Sequence, residues 1–179
     1  MKKNFGQIQV YTGTGKGKTT AALGLAMRAR GSGARVAIIF FDKGGNDYNE
    51  RKILAQIGVD YWVTGEPRFN ARTKKFRFGV NKLDRNQGRH GLDILQKIFT
   101  DKEYDLVILD EINSSIALGI IEEQYFLEIL KQKPKNMELI LTGRNASQKI
   151  LAQADLVTEM KMKKHYYTRG VTARPGIEY

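Results

Sequence analysis

A glycine-rich loop near the start of the chain constrains its fold most strongly. Residues 12–20 read Thr-Gly-Thr-Gly-Lys-Gly-Lys-Thr-Thr, directly after the short apolar alternation of residues 8–11 and before a largely apolar helical segment. Glycines let the backbone curl so that its N–H groups point at phosphate oxygens, and the positive end of the following helix faces the same point. The pattern predicts a P-loop that binds a nucleoside triphosphate.

The residue types within the loop predict individual roles. Lys18 is expected to contact the phosphates as a mobile charge, and the Thr19 hydroxyl to ligate Mg²⁺. The loop departs from the G-x-x-x-x-G-K-[ST] pattern at its first position, where Thr12 replaces glycine. A glycine-rich turn that merely caps a helix is the alternative, but the flanking strand and helix favour the P-loop. The other predicted phosphate-binding residues are Gly13, Thr14, Gly15, Lys16, Gly17 and Thr20.

Strand-like and helix-like segments alternate along most of the chain. Because parallel strands need crossover connections, this alternation predicts an α/β fold with a mostly parallel sheet and helices on both faces. Ligands in such sheets bind beyond the carboxyl ends of the strands. We expect strands at residues 8–11, 36–41, 61–63, 105–110, 138–142 and 156–160, and helices at residues 18–30, 50–57, 92–99, 116–130 (with a break near Gly119) and 147–152.

Two acidic residues end the fourth of these strands. Asp110 and Glu111 stand where the Walker B carboxylate of a P-loop protein would lie, opposite Thr19. A carboxylate at this point holds Mg²⁺, directly or through water, whereas the simpler interpretation is an acidic cap on the next helix. The two side chains point to different faces of an extended chain, so the sequence leaves open which one is the inner ligand.

Basic residues follow two other strands and would lie at the same edge of the sheet. Lys43 stands in a Lys-Gly-Gly turn after the second strand, and Arg144 in a Thr-Gly-Arg turn after the fifth. Each is a candidate for nucleotide binding, and each is equally consistent with a solvated residue of a turn. Arg28, on the helix after the P-loop, is a further candidate, although helical spacing places it on the exposed face.

The composition excludes several kinds of chemistry. The chain contains no cysteine, which excludes disulfides, thiolate catalysis and cysteine-ligated metal. Its two histidines, His90 and His165, are too few for a zinc site without carboxylate ligands. No apolar stretch approaches the roughly 20 residues of a membrane span, and no signal-peptide core is visible, so a cytoplasmic location without membrane attachment is expected.

The formal net charge of +11 is concentrated in two segments. Residues 66–90 hold eight basic and two acidic residues, and residues 161–179 hold five basic and one acidic residue. Both segments are candidates to face an anionic ligand. We expect residues 1–179 to form a single domain, with a basic loop or lid at about 64–90 and a C-terminal tail at about 161–179.

Taken together and in this order, the motifs resemble those of one family. They are the loop T-G-x-G-K-G-K-T-T, the segment Phe-Asp-Lys-Gly at 41–44, the strand end at 107–111, Leu-Thr-Gly-Arg at 141–144, and a tail ending Gly-Ile-Glu-Tyr. The chain resembles the ATP:corrinoid adenosyltransferases with a modified P-loop, also called cob(I)yrinic acid a,c-diamide adenosyltransferases. The resemblance spans nearly the whole chain, and Thr12 fits the loop of this family.

The resemblance implies a fold, a reaction and partners. The family has a RecA-like P-loop fold, forms homodimers, and moves the 5′-deoxyadenosyl group of ATP to a reduced Co(I) corrinoid, releasing triphosphate. It binds ATP with the phosphates reversed relative to ordinary P-loop enzymes. Here residues 13–20 would hold the triphosphate, and Thr19 with Glu111 or Asp110 would hold Mg²⁺. Lys18, Thr19 and Glu111 would be the catalytic residues, an electron-donor flavoprotein a further partner, and nucleic acid no partner.

The chain departs from the pattern of this family on the corrinoid side. The loop after the third strand usually carries a closely spaced Phe and Trp that help to displace the lower ligand of cobalt, whereas residues 65–72 contain Phe69 and no tryptophan. Phe69, Phe76 and Phe78 are candidates to contact the corrin, and Trp62 lies close by in the sequence. Aromatic residues of this kind also serve as core or lid packing.

Two other functions fit parts of the sequence. A P-loop ATPase or nucleic-acid-binding NTPase would use the basic, aromatic segment 66–90 to contact a phosphate backbone with stacked bases. A small-molecule kinase would use the same segment as its lid. The three functions differ in their products, which are triphosphate for the first, ADP and phosphate for the second, and ADP and a phosphorylated acceptor for the third.

Overall fold

The computed structural model of the protein describes residues 5–45, 48–70, 75–77 and 79–179, without the side chains of residues 69, 70, 75 and 76. Within these ranges, strands and helices alternate much as expected. In chain order they are β1 (Ile8–Thr12), α1 (Lys18–Gly31), β2 (Val36–Phe41), α2 (Glu50–Gln56), β3 (Asp60–Thr64), β4 (Phe69–Asn70), β5 (Lys75–Phe76), α3 (Lys82–Asp101), β6 (Leu106–Asp110), α4 (Ile112–Ala117), α5 (Glu123–Leu130), β7 (Glu138–Thr142), α6 (Gln148–Leu151), β8 (Leu156–Glu159) and a 3₁₀ turn (Tyr166–Arg169).

Six strands form one parallel sheet in the order β3-β2-β6-β7-β1-β8, and β4 and β5 form a separate antiparallel pair. The predicted α/β fold with a parallel sheet and helices on both faces is therefore confirmed. One strand, β7, lies between the P-loop strand β1 and the acidic strand β6. The carboxyl ends of β2, β6, β7 and β1 consequently lie side by side at one edge of the sheet.

The central strands are buried on both faces, as their continuous apolar runs require. In β2, Ile38 and Phe40 face a layer formed by the alanines of α1 and by Leu54 of α2. Ile39 and Phe41 face the opposite layer, which α3 and α5 cover. Among the described helices, none has the length and hydropathy that a membrane span needs.

Helix α3 differs most from the sequence prediction, because it begins at Lys82 rather than at Leu92. Its first half contains Gly88 and Gly91, which sequence patterns count as helix breakers. A Cβ on Gly88 would lie 2.8 Å from a side-chain carbon of Ile120, and one on Gly91 would lie 2.5 Å from the ring of Phe41. These glycines let the helix pack closely against its neighbours. Residues 82–90 of the basic segment therefore belong to this helix, whereas a loop or lid was expected there.

The acidic strand is followed by two short helices rather than one long one. The expected break near Gly119 is confirmed: α4 ends at Ala117, Gly119 has a φ of 73°, and α5 begins at Glu123. The first helix begins at Ile112, four residues earlier than predicted. Ser147 accepts a hydrogen bond from the amide of Ile150 and so caps α6, as its sequence position indicated.

An ion pair between a partly exposed arginine and a buried carboxylate fixes the start of α3. The guanidinium of Arg77 donates two hydrogen bonds to the Asp84 carboxylate, at 2.7 and 2.6 Å. Asp84 and Asn81 also form a reciprocal capping box. The hydrogen bonds from Arg77, together with the one from the Asn81 amide, lower the pKa of Asp84 to about 2.

Replacing Asp84 with Asn tests this capping arrangement. Because the pKa of the folded-state carboxylate is depressed, the wild type gains stability above the unfolded-state pKa and loses it as the pH falls toward 2. We expect D84N to lower the free energy of unfolding by about 1–2 kcal/mol at pH 7, since Arg77 is partly exposed to solvent. Urea unfolding from pH 7 to pH 2.5 should show the two proteins converging below about pH 4.

The exposed Asp93 on the same helix provides the matched control. D93N should change the free energy of unfolding by less than about 0.5 kcal/mol. A D84N protein as stable as D93N at pH 7 would contradict the assigned role of Asp84.

Candidate nucleotide site at the carboxyl edge of the sheet

Left-handed backbone conformations follow three neighbouring strands at the carboxyl edge. Asp42 after β2 has a φ of 51°, Glu111 after β6 has 62°, and Gly143 after β7 has 129°. Residues other than glycine adopt this region only at an energetic cost, and such residues cluster at functional sites. The backbone therefore turns sharply at the edge where ligands of α/β folds bind.

The P-loop curls around the ammonium group of its own lysine. Lys18 Nζ donates hydrogen bonds to the carbonyl oxygens of Gly13, at 2.8 Å, and of Gly15, at 2.7 Å. Burial lowers the pKa of Lys18, while the charge of Glu111 opposes that shift. The ammonium is thus buried within the loop, and its hydrogen-bond partners among the described residues are neutral carbonyls, an arrangement that favours an incoming anion.

The glycines of the loop also permit close packing against the chain after β8. The Gly15 amide donates to the Met160 carbonyl at 2.6 Å, and a Cβ on Gly13 or Gly15 would lie within 2.8 Å of that oxygen. Thr12, which replaces the first glycine of the usual pattern, accepts a hydrogen bond from the amide of Ala146. The altered position thereby ties the P-loop to the loop after β7.

A buried carboxylate joins three strand ends. Asp110 is 1 % exposed. Its Oδ1 accepts hydrogen bonds from Thr19 Oγ1 at 2.9 Å and from Thr142 Oγ1 at 2.6 Å. Its Oδ2 accepts from Lys43 Nζ at 2.5 Å, and this ammonium lies 2.9 Å from Thr19 Oγ1. The predicted candidates Thr19, Asp110 and Lys43 are therefore brought together, with Thr142 added.

Burial and the neighbouring charges shift the pKa of Lys43 in opposite directions. Burial lowers the pKa of Lys43, but the charges of Asp110 and Glu111 outweigh burial and raise it. Lys43 is therefore a charged ammonium that neutralises the buried Asp110 carboxylate.

Glu111 lies beside this cluster rather than inside it. Its Oε2 accepts a hydrogen bond from Ser114 Oγ at 2.5 Å, and its Oε1 lies 3.9 Å from Lys43 Nζ. Its amide donates to Thr142 Oγ1 at 2.9 Å. Asp110 and Glu111 thus face different surroundings, as their alternation along the chain predicted.

Arg51 of α2 positions the loop that carries Lys43. Its guanidinium donates to the carbonyl oxygens of Lys43 and Gly45, both at 2.5 Å. It also stacks near the rings of Tyr48 and Phe40, at 4.5 and 5.0 Å from the ring centres. No local pattern in the sequence indicated this role, because a single arginine on a short helix is usually solvated.

The C-terminal tail folds over the P-loop. Lys16 Nζ donates to Glu178 Oε1 at 2.8 Å and to the Ile177 carbonyl at 2.9 Å. Glu178 also accepts hydrogen bonds from Arg174 and Tyr166. The hydrogen bonds from Arg174, Lys16 and Tyr166 hold the pKa of Glu178 well below its ordinary value. The tail, expected to face an anion, therefore presents one carboxylate to the loop as well.

A cavity of about 620 Å³ lies between the P-loop, α2 and the tail. Its lining includes the predicted residues Gly15, Lys16, Gly17, Lys18, Thr19, Thr20, Lys43, Glu111 and Arg144. It also includes Leu23, Tyr48, Asn49, Glu50 and Ile53, which the sequence did not single out, together with His165 and residues 176–179 of the predicted tail. The side-chain amide of Asn49 donates a hydrogen bond to the backbone oxygen of Tyr179, and this bond connects two walls of the cavity.

Other predicted residues lie outside this lining or outside the described part of the chain. Gly13 and Thr14 belong to the P-loop but contact the chain after β8 instead of lining the cavity. Arg28 lies exposed in the last turn of α1, away from the loop end of that helix. Phe69 lies in β4, paired with Phe76, and both side chains are outside the described part of the chain, as is all of Phe78. Trp62 packs edge-on against Tyr104, and both are partly buried against the core.

Comparison with known proteins decides the family. A model of the family described as ATP:corrinoid adenosyltransferase BtuR/CobO/CobP matches residues 4–179. The chain belongs to this family. The corrinoid adenosyltransferase of Escherichia coli is 34% identical over 174 residues, covering 97% of this chain and 86% of the relative. That of Salmonella typhimurium is 35% identical with the same coverage, and that of Pseudomonas aeruginosa is 30% identical over 176 residues, covering 97% and 84%.

The hydroxyl of Thr142 tests whether the strand ends depend on one another in this family member. It donates to Asp110 and accepts from the amide of Glu111, so its removal takes one of two hydroxyl donors from Asp110 Oδ1 and takes the acceptor from the Glu111 amide. We expect Thr142→Val to lower the free energy of unfolding by about 1–3 kcal/mol in urea titrations at pH 7. Thr158→Val on the exposed strand β8 is the isosteric control and should be nearly neutral. Equal stabilities of the two variants would refute the shared role of Thr142.

Proposed function

We propose that the protein transfers the 5′-deoxyadenosyl group of ATP to the cobalt of a reduced Co(I) corrinoid and releases triphosphate. One observation carries the proposal: a chain of this family places Lys16, Lys18, Lys43 and Arg144 around one cavity at the carboxyl edge of the sheet. Such a cluster of cations suits the most highly charged part of ATP.

The reaction needs position and charge rather than a protein base. Co(I) supplies the electron pair that forms the bond to C5′, the bond between C5′ and its oxygen breaks, and that oxygen leaves on the triphosphate. Negative charge therefore develops at the departing oxygen. Lys18, Lys16 and the amides of the P-loop are the groups that would stabilise it, and the fixed walls of the cavity would orient C5′ toward the corrinoid.

The residues at the edge of the sheet fit Mg²⁺. Thr19 Oγ1 and Asp110 are oxygen donors that already share one cation, the Lys43 ammonium. Among the described residues, no group of three His, Cys, Asp or Glu is arranged to hold a metal. The two oxygen donors, Thr19 and Asp110, suit Mg²⁺, because this ion is bound by one or two protein oxygens and completed by phosphates. Bound there beside Glu111, Mg²⁺ would neutralise charge on the triphosphate.

The apolar part of the cavity suits the nucleoside. Leu23, Ile53, Tyr48 and Ile177 line the side that α1, α2 and the tail contribute. Ile53 and Ile177 are half exposed, at 50% and 57%, which is unusual for large apolar side chains unless they meet a ligand or a partner. We assign the adenosine to this wall. Gly13, Thr14 and Thr20 would support the loop that binds the phosphates.

The resemblance to the family supports further proposals. We propose a homodimer, a cytoplasmic location and an electron-donor flavoprotein that keeps the corrinoid as Co(I). Arg68, which is tied to Asp42 at 2.7 Å beside the end of β2, would lie on the corrinoid side of the site.

The spectrum of the corrinoid tests the proposed reaction. Mixing wild-type protein, Mg-ATP and chemically reduced corrinoid should convert the absorption of Co(I) to that of an alkyl–cobalt(III) product. Lys18→Ala should reduce kcat/KM by roughly 100-fold or more, because it removes a charge that stabilises the leaving group. Lys97→Ala, at an exposed lysine of α3, is the control and should retain wild-type activity. A Lys18→Ala enzyme with wild-type turnover would remove the P-loop from the mechanism.

Phe69 is the residue to test on the corrinoid side. Its place in the segment after β3 corresponds to the region where the family carries its aromatic pair. We expect Phe69→Ala to slow adenosylation about tenfold while ATP affinity, measured by calorimetry, stays the same. Tyr167→Ala, at an aromatic residue exposed by 71%, should change neither quantity. An unchanged rate in Phe69→Ala would exclude a corrin contact by this side chain.

A nucleic-acid-binding NTPase is not favoured by the family match or by the ion pairs of the basic segment. Arg68 pairs with Asp42 and Arg77 with Asp84, so both arginines are already neutralised within the protein. A phosphate backbone would need such charges free.

A further inference from the structure

A lysine ammonium occupies the point at which a P-loop protein holds its divalent cation. Lys43 Nζ lies 2.5 Å from Asp110 Oδ2 and 2.9 Å from Thr19 Oγ1, the two oxygen donors of the proposed Mg²⁺ site. The other oxygen of Asp110 is taken by two hydroxyl donors, Thr19 and Thr142. A metal that binds to Asp110 must therefore compete with this ammonium.

The competition is strong because the carboxylate is buried. With Asp110 1 % exposed, Lys43 is its neutralising partner, and a divalent cation placed beside the ammonium would meet a positive charge at close range. Removing Lys43 without replacement would leave Asp110 unpaired. The two cations are thus alternatives for the same position, since each satisfies the carboxylate and each excludes the other.

The cavity beside Lys43 offers its ammonium a second position. Lys43 lines the cavity together with Lys18 and Arg144, and its Nζ lies only 3.9 Å from Glu111 Oε1. The backbone of its loop is held by Arg51, so the long side chain can turn toward the cavity while the loop stays in place. A triphosphate in the cavity would attract the ammonium in that direction.

We infer that Lys43 holds the divalent-cation position of the nucleotide-free enzyme and gives it up to the metal when a triphosphate draws its ammonium into the cavity. Nucleotide and metal therefore enter the site as one unit, and free metal binds poorly to the empty protein. Lys43 pairs with the Asp110 carboxylate in the nucleotide-free enzyme and contacts phosphate once the triphosphate has bound. The inference rests on the proposed ATP site and extends it to the order of binding.

Titration of the nucleotide-free protein with Mn²⁺, followed by the EPR signal of the free ion, tests the inference without any turnover. Wild-type protein should bind Mn²⁺ weakly. Lys43→Met, which keeps the length and removes the charge, should gain one site per chain with at least tenfold tighter binding. Lys43→Gln should gain the same site and serves if the methionine variant does not fold. Adding Asp110→Asn to either variant should abolish the gain.

Lys97→Met is the matched control, because it removes one positive charge from an exposed position on α3 and should bind Mn²⁺ as the wild type does. Circular dichroism verifies that each variant is folded. Neutral variants that bind no more tightly than the wild type, a gain that survives Asp110→Asn, or a wild type that binds Mn²⁺ tightly without nucleotide would each overturn the inference. Adenosylation by the wild type is measured separately. A negative result in the Mn²⁺ titration would therefore overturn the inference about Lys43 without contradicting the proposed reaction.

Discussion

The burial of one carboxylate, that of Asp110, is the constraint on which the site depends. A carboxylate at the end of a covered strand needs donors on both oxygens, because an unpaired buried charge is strongly destabilising. Thr19 comes from the helix after β1, Thr142 from the end of β7 and Lys43 from the loop after β2. The hydrogen bonds to the Asp110 carboxylate therefore fix α1, the end of β7 and the loop after β2 relative to one another. The sheet order makes this possible, because β7 lies between β1 and β6.

The edge of the sheet also holds three ammonium groups in positions that suit a polyanion. Lys18 is buried among carbonyl oxygens of its own loop, and Lys16 is held by Glu178 of the tail. Lys43 is held by Asp110. Each ammonium is thus kept in place by groups that a triphosphate could replace. An active site that prearranges charge in this way lowers the cost of reorganisation when the leaving group departs.

Local sequence patterns were sufficient for the framework of the site. The P-loop was recognisable from its glycines and its lysine, and Asp110 from its place after a continuous apolar strand. Ser147 and the break near Gly119 were recognisable because caps and breakers act through nearby backbone. The first half of α3 was not, because Gly88 and Gly91 act as contacts to residues distant in the chain. Arg51 escaped prediction for the same reason, because its role depends on tertiary partners that no local pattern encodes. The tail was expected to face an anion, but the pairing of its Glu178 with Lys16 was not predicted.

Labelled ATP offers the most direct test of the central claim that this edge of the sheet grips the phosphates and presents carbon for displacement. ATP that carries ¹³C at C5′ would be incubated with the protein, Mg²⁺ and reduced corrinoid, and the products followed by ¹³C and ³¹P NMR. The account predicts that the ¹³C signal moves to that of a cobalt-bound methylene while the phosphorus appears as intact triphosphate. Label retained in ADP, with free phosphate released, would contradict it.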